Sequence, residues 1–152
     1  MAAKYQNDFV DRYAPLASQI ATDTGLDPSV VLGHMALESS WGRNLNGNNL
    51  FGVNGPDGKK ASYPDTQTAA NAYTDLINGR YQMAAAYPDP SLQAQTIASL
   101  GYNTNKNYGP TLADTASTVR DVMAQRAALS PDNLLDTSSA SQPNALASYS
   151  RL

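Results

Sequence analysis

The chain is predicted to be mainly α-helical, with about five helices and one long irregular segment after the second. Three observations lead there. Apolar residues recur at helical spacing in five separate stretches. Two Asp-Pro pairs, Asp27-Pro28 and Asp89-Pro90, have the form of an N-cap followed by Pro at the first helical position. Between Gly42 and Pro64 the helical period vanishes and turn dipeptides replace it.

In the first helix Phe9, Tyr13, Leu16 and Ile20 fall on one face, and Gly25 is the expected stop. The second runs from Pro28 to about Ser39 and carries Val30, Val31, Met35 and Leu37. So apolar a short helix is expected to be largely buried. In the irregular segment Asn46-Gly47, Gly55-Pro56 and Asp57-Gly58 mark turns. The sequence PDGK is a candidate tip for a very short hairpin between Phe51-Gly52-Val53 and Ala61-Ser62-Tyr63. A third helix starts near Asp65 or Thr66 and uses Ala69, Tyr73, Leu76 and Ile77. A fourth starts at Asp89-Pro90, uses Leu92, Ile97 and Leu100, and stops at Gly101. The fifth runs from Pro110 to about Leu129 with Leu112, Ala116, Val119, Val122 and Met123. Residues 1–129 form the expected domain, and residues 130–152, rich in Ser, Asn and Ala without periodicity, read as a low-complexity tail or tether.

Composition excludes several functions. At 152 residues, 41% of them hydrophobic, the chain suits one domain with a real core. A formal net charge of -3 argues against an extended basic surface for nucleic acid. There is no cysteine, hence no disulfide or thiolate metal site, and a lone histidine rules out a multi-histidine metal centre. The beginning, MAAKYQNDFVDRYA, lacks the apolar core of a signal peptide, and no run approaches a membrane span. Action outside the cytoplasm would then require delivery by another route, or a leader that this sequence lacks.

Chemistry concentrates after the second helix. Glu38 sits near its C-terminal end, where the helix dipole and desolvation both favour the protonated carboxyl that a general acid requires. The alternative is a surface Glu near a helix end. Trp41 is either a wall for a sugar face or a core anchor. His34, one helical turn before Glu38, either hydrogen-bonds the carboxylate or the sugar, or is a satisfied structural histidine, the reading we favour.

The stretch Leu37-Glu38-Ser39-Ser40-Trp41-Gly42, followed by Asn49-Leu50-Phe51-Gly52, resembles the signature of the bacterial cell-wall N-acetylglucosaminidases of the flagellar-rod and autolysin type. SYPDTQTAANAYTDLINGRY, ending in Arg80-Tyr81, resembles that family's Tyr-containing helix. LGYNTNKNYGPTLADT resembles its Gly-Tyr-Ala-Thr-Asp segment, keeping Gly101, Tyr102 and Thr104 with Asn103 in place of Ala. The resemblance spans about residues 5–126.

It implies a lysozyme-like helical core and cleavage of the β-1,4 glycan backbone of peptidoglycan, with no metal or organic cofactor. Glu38 would be the general acid, and Tyr102 would lie near it to position the sugar or its charge. Trp41, Leu50 and Phe51 would shape the cleft and Asn49 would orient the loop. Tyr108 is a further candidate for the sugar groove. Tyr102 has a structural alternative, packing behind Gly101.

Departures bear on the mechanism. The family usually has a longer β-rich lobe after Asn-Leu-Phe-Gly, often supplying a second acid, whereas here Tyr63 follows Val53 by only ten positions. Asn54 stands where the motif has Lys, and Ala72 where the family has Asp. Asp57 and Asp65 are the available second carboxylates, but they also suit a turn and a helix N-cap. Without a second carboxylate the substrate's acetamido group can serve as nucleophile. Attack by the 6-hydroxyl would instead make a lytic transglycosylase. The products expected are N-acetylglucosamine reducing ends. A muramidase, or a non-catalytic glycan-binding module of a virion or secretion assembly, is the rival reading. The tail is a candidate for docking to such an assembly, and cell lysis, virion delivery or specialised secretion are the expected routes to the wall.

Overall fold

The computed structural model describes residues 1–130. All but the first residue of the expected tail lies outside the described residues. Among the described residues there are five α-helices: α1 (Lys4–Thr24), α2 (Pro28–Ser39), α3 (Thr66–Gly79), α4 (Pro90–Ser99) and α5 (Tyr108–Ala128). A 3-10 turn at Gln82–Ala86, too short to produce a readable period, joins α3 to α4.

The helix boundaries follow local chemistry. Gly25, at φ 79°, ends α1 in the left-handed conformation that Gly adopts at little cost. Asp27 caps α2 by accepting from the Ser29 N–H at 2.8 Å, with Pro28 in the first turn. Asp65 caps α3 through Thr68 N–H at 2.7 Å, and Asp89 caps α4 through Ser91 N–H at 2.9 Å. Helix α5 begins two residues before Pro110, which sits in the first turn where its missing N–H costs nothing. That extension brings Tyr108 onto a helix and into the core.

Helix α2 is the axis of the domain. Val30, Val31, Leu32, Met35 and Ala36 are fully buried, and the helix packs against α1, α4 and α5. Gly33 permits the approach of α5: a Cβ there would lie 2.8 Å from Ala116 Cα. One expected core position is corrected. Leu92 is exposed while Gln93 is buried. The Gln93 amide accepts from Asp27 N–H at 2.8 Å and donates to the Tyr87 carbonyl at 2.8 Å, so it satisfies two backbone groups that Leu could not.

Between α2 and α3 the expected hairpin is reduced to a turn at 55–58 closed by one antiparallel bridge, Asn54 to Lys60, with Ala61 N–H donating to the Val53 carbonyl at 2.9 Å and no regular strands at 51–53 and 61–63. Gly52, at φ 64°, interrupts the extended backbone such a strand needs. The segment is held further by the Asn49 side chain, which donates to the carbonyls of Val53 at 2.8 Å and Ala61 at 2.9 Å and accepts from Val53 N–H at 3.1 Å.

Candidate active site

Glu38 occupies the last turn of α2, where the sequence puts a small polar residue next and a sharp turn after it. Ser39 Oγ donates to the Met35 carbonyl at 2.6 Å and accepts from Gly42 N–H at 2.9 Å. The Trp41 N–H reaches back to the Ala36 carbonyl at 2.7 Å, closing a Schellman-type cap. Ser40, Trp41 and Gly42 all have positive φ, of 50°, 58° and 76°. Two consecutive non-Gly residues in this region cost roughly 1–3 kcal/mol each. The reward is geometric: the chain turns away at once and leaves the helix end open.

Glu38 is half-buried and lines a polar cleft of about 150 Å³ with Asn44, Asn46, Asn49, Gly52 and Lys60. Its two oxygens have different surroundings. Tyr108 Oη donates to Oε1 at 2.5 Å. Oε2 lies over the Cα of Gly52, so close that a Cβ there would fall 2.3 Å away. Lys60 Nζ donates to the Gly52 carbonyl at 2.7 Å and holds that side of the cleft. A second groove of about 220 Å³ continues past Gly52, lined by Val53, Asn54, Leu76, Arg80, Tyr81, Gly101 and Tyr102.

Behind Glu38 lies a buried polar chain. His34 is fully buried; its Nε2 is 2.7 Å from Tyr108 Oη and its Nδ1 is 2.9 Å from Tyr73 Oη. Burial lowers the His34 pKa to about 3, so the ring is neutral at physiological pH. Desolvation first, and then the charge of Glu38, hold the Tyr73 and Tyr108 hydroxyls protonated well above their ordinary range. His34 is therefore satisfied, as favoured from sequence, and it also reaches the carboxylate, with Tyr108 standing between.

The other sequence candidates fall into place around this. Tyr102 makes no hydrogen bond to Glu38: its hydroxyl donates to the Phe51 carbonyl at 2.6 Å, and its ring lies 4.2 Å from that of His34. Desolvation above all raises its pKa well above the ordinary value. Phe51 is fully buried and stacked on Tyr73 at 4.0 Å, so it supports the cleft from inside and cannot contact a sugar. Asn49 is the clasp of the loop as well as part of the cleft lining. Trp41 packs edge-on against Phe9 at 5.6 Å and lines a separate groove with Tyr5, Arg12 and Arg43, away from the Glu38 cleft. Asp65 is engaged as the α3 cap and Asp57 accepts from Lys59 N–H at 3.1 Å within its turn; neither lines the cleft. Sequence reasoning missed Tyr73 as a polar residue, took Asn46 only as a turn residue, and missed Asn44 and Lys60 altogether. Among the described residues no group of three or more His, Cys, Asp or Glu side chains comes together in a way that could hold a metal ion.

A helical domain that presents one carboxylate at the end of a buried central helix to an open polar cleft has the architecture of the lysozyme-like hydrolases. The chain belongs to the glucosaminidase family, whose model, described as mannosyl-glycoprotein endo-beta-N-acetylglucosaminidase, matches residues 14–121. It is thus a glycoside hydrolase domain, as the sequence motifs implied. In structure it is similar to the peptidoglycan hydrolase from Sphingomonas sp. A1, at 22% identity and a TM-score of 0.72, over 82% of this chain and 97% of that one. The glycoside hydrolase domain of FlgJ from Salmonella typhimurium is similar at 20% identity and a TM-score of 0.72, over 86% and 98% of the two chains. A type VI secretion system effector-immunity complex from Pseudomonas protegens contains a chain similar at 26% identity and a TM-score of 0.66, over 80% and 95%. No curated protein matches the chain in sequence.

Proposed function

We propose that this domain hydrolyses the β-1,4 glycan backbone of bacterial peptidoglycan and leaves N-acetylglucosamine reducing ends, with Glu38 as the general acid. The observation that carries the reading is the unequal environment of the Glu38 oxygens. Oε1 is occupied as an acceptor by Tyr108, which leaves Oε2, on the cleft side against Gly52, to carry the proton. That proton passes to the glycosidic oxygen as the bond from C1 breaks.

Among the described residues Glu38 is the sole carboxylate lining the cleft. A carboxylate pair of the usual retaining or inverting spacing is therefore not part of the reading. The acetamido oxygen of the substrate attacks C1 and closes an oxazolinium ring. Glu38, now ionised, takes a proton from the water that opens it. Configuration at C1 is retained. Asn44, Asn46 and Asn49 supply amides suited to sugar hydroxyls and acetamido groups, and the groove past Gly52 extends the path for a glycan strand.

The site of action is the bacterial cell wall. Similarity to the Pseudomonas protegens chain supports delivery by a secretion machine, with virion delivery and lysis as the other routes. Mass spectrometry of digested sacculi, with and without borohydride reduction, tests the reaction. Reducible N-acetylglucosamine ends are expected. Anhydro-muramic ends would instead make the enzyme a lytic transglycosylase, and an intact sacculus would make the domain a binding module.

A further inference from the structure

We propose that His34 is a positioning residue, fixed as the neutral Nε2–H tautomer by Tyr73, and that it compels Tyr108 to donate to Glu38 Oε1. The inference rests on the reading of Glu38 as the acid and deepens it, because the same arrangement decides which carboxylate oxygen carries the catalytic proton.

The direction of the chain follows from counting protons. The Tyr73 hydroxyl is fully buried and its one hydrogen-bond partner among the described residues is His34 Nδ1. A buried O–H left without an acceptor costs about 1–3 kcal/mol, so Tyr73 donates and Nδ1 must be bare. A neutral ring then carries its single proton on Nε2, and burial of the ring disfavours the doubly protonated form. Nε2–H donates to Tyr108 Oη, 2.7 Å away. Among the described residues the Tyr108 proton has one remaining acceptor in reach, Glu38 Oε1. Every donor along the chain is used once, and every hydrogen bond points toward Glu38.

The opposite polarity fails at its far end. If His34 donated from Nδ1, the Tyr73 proton would have no acceptor among the described residues, and Tyr108 would be free to donate to Nε2 and receive the proton of Oε1. The acid would then spend its proton on Tyr108, inside the protein. Facing rings do not offer an escape: the Tyr102 hydroxyl is already committed to the Phe51 carbonyl, and His34 is the chain's only imidazole.

That single histidine makes the test direct. In 15N-labelled wild-type protein without substrate, the imidazole nitrogens are expected to report one protonated Nε2 and one bare Nδ1 throughout about pH 4.5–7.5, a range in which an ordinary histidine titrates. An Nδ1–H tautomer or an imidazolium in that range would overturn the proposal. Tyr73→Phe removes one oxygen remote from the cleft and keeps the ring. It should lower kcat about fivefold, the equivalent of one neutral hydrogen bond, leave KM unchanged and admit the second tautomer to the spectrum. Unchanged kcat with an unchanged spectrum would also overturn it. His34→Gln, whose amide N–H can replace the Nε2–H donor, should recover most of the kcat that His34→Leu loses. Equal loss in both would reduce His34 to packing. If His34→Leu does not fold, the Tyr73→Phe comparison still decides. Because the spectra require no substrate, they stand or fall apart from the assignment of Glu38, which Glu38→Gln tests separately on sacculi.

Discussion

Glu38 and Trp41 are three residues apart and both belong to the Leu-Glu-Ser-Ser-Trp-Gly motif, yet they serve different grooves. Glu38 is anchored from behind by Tyr108, His34 and Tyr73, on three helices that share the core. Trp41 is the second of three successive left-handed residues, is half-buried against Phe9 and lines a groove with Tyr5 and Arg43. The Glu38 wall of the cleft is thus preorganised by the core, whereas the facing wall is a short loop pinned by a few backbone hydrogen bonds and the side chains of Asn48, Asn49 and Lys60. A residue in the first region acts through a rigid chain of hydrogen bonds; a residue in the second acts by keeping the loop at the right distance.

The loop wall should break most readily at its closest approach. Gly52→Ala places a Cβ 2.3 Å from Glu38 Oε2 at a φ of 64° that side chains rarely adopt. Sacculus digestion should fall at least about a hundredfold, the low end of acid–base assistance, because the carboxyl must leave its place. The Asn49 clasp comes next. Asn49→Ala leaves the Val53 N–H and the Ala61 carbonyl without their partner. At about 1–3 kcal/mol for each half-buried backbone group left unpaired, denaturant unfolding should register a loss of roughly 2–6 kcal/mol.

Acid sharpens the contrast from the core side. His34 has its pKa lowered to about 3 from 6.5, so below pH 6.5 the unfolded chain binds a proton that the folded chain refuses. Stability from this group is complete above the unfolded value and is lost as pH falls from there toward 3. Between pH 6.5 and about pH 5 the loss is about 2 kcal/mol, at 1.36 kcal/mol per pH unit. Denaturant midpoints across this range should fall more steeply in wild type than in His34→Gln. The smallest effect belongs to the cap outside the cleft. Asp65→Asn keeps an N-cap side chain and should leave both melting temperature and digestion rate near wild type. A hundredfold loss there would make Asp65 part of the chemistry after all.

The helices were legible because their ends are written in residue types. Asp27-Pro28, Asp65, Asp89-Pro90 and Gly25 are found at the boundaries they predict. Glu38 was legible through an ordered set of motifs, and the structure adds the reason for its neighbours: Ser39 ties the turn and Gly52 makes room for the carboxylate. Tyr108, expected in the sugar groove, is the tyrosine that hydrogen-bonds Glu38, while Tyr102 bonds the Phe51 carbonyl and lines the groove past Gly52. The loop between them contains no period from which to phase it, and α5 starts early enough to carry Tyr108 under Glu38. Tyr73 was read as core, correctly, but periodicity says nothing about where a hydroxyl points. Lys60 and the cleft asparagines come from a segment whose path is set by side-chain clasps, which no spacing rule encodes. Asp57 and Asp65 illustrate the converse: their local structural roles were visible in sequence and the cleft does not recruit them.

The central claim is that Glu38 donates the proton that breaks the glycosidic bond, and Glu38→Gln assayed on purified sacculi tests it most directly. The substitution keeps the shape, still accepts the Tyr108 hydrogen bond and has no acidic proton to give. Turnover should drop by at least about a hundredfold, with a melting temperature equal to or above wild type, since an amide tolerates a desolvated helix end better than a carboxylate does. Release of muropeptides by Glu38→Gln at a rate close to wild type would contradict the account.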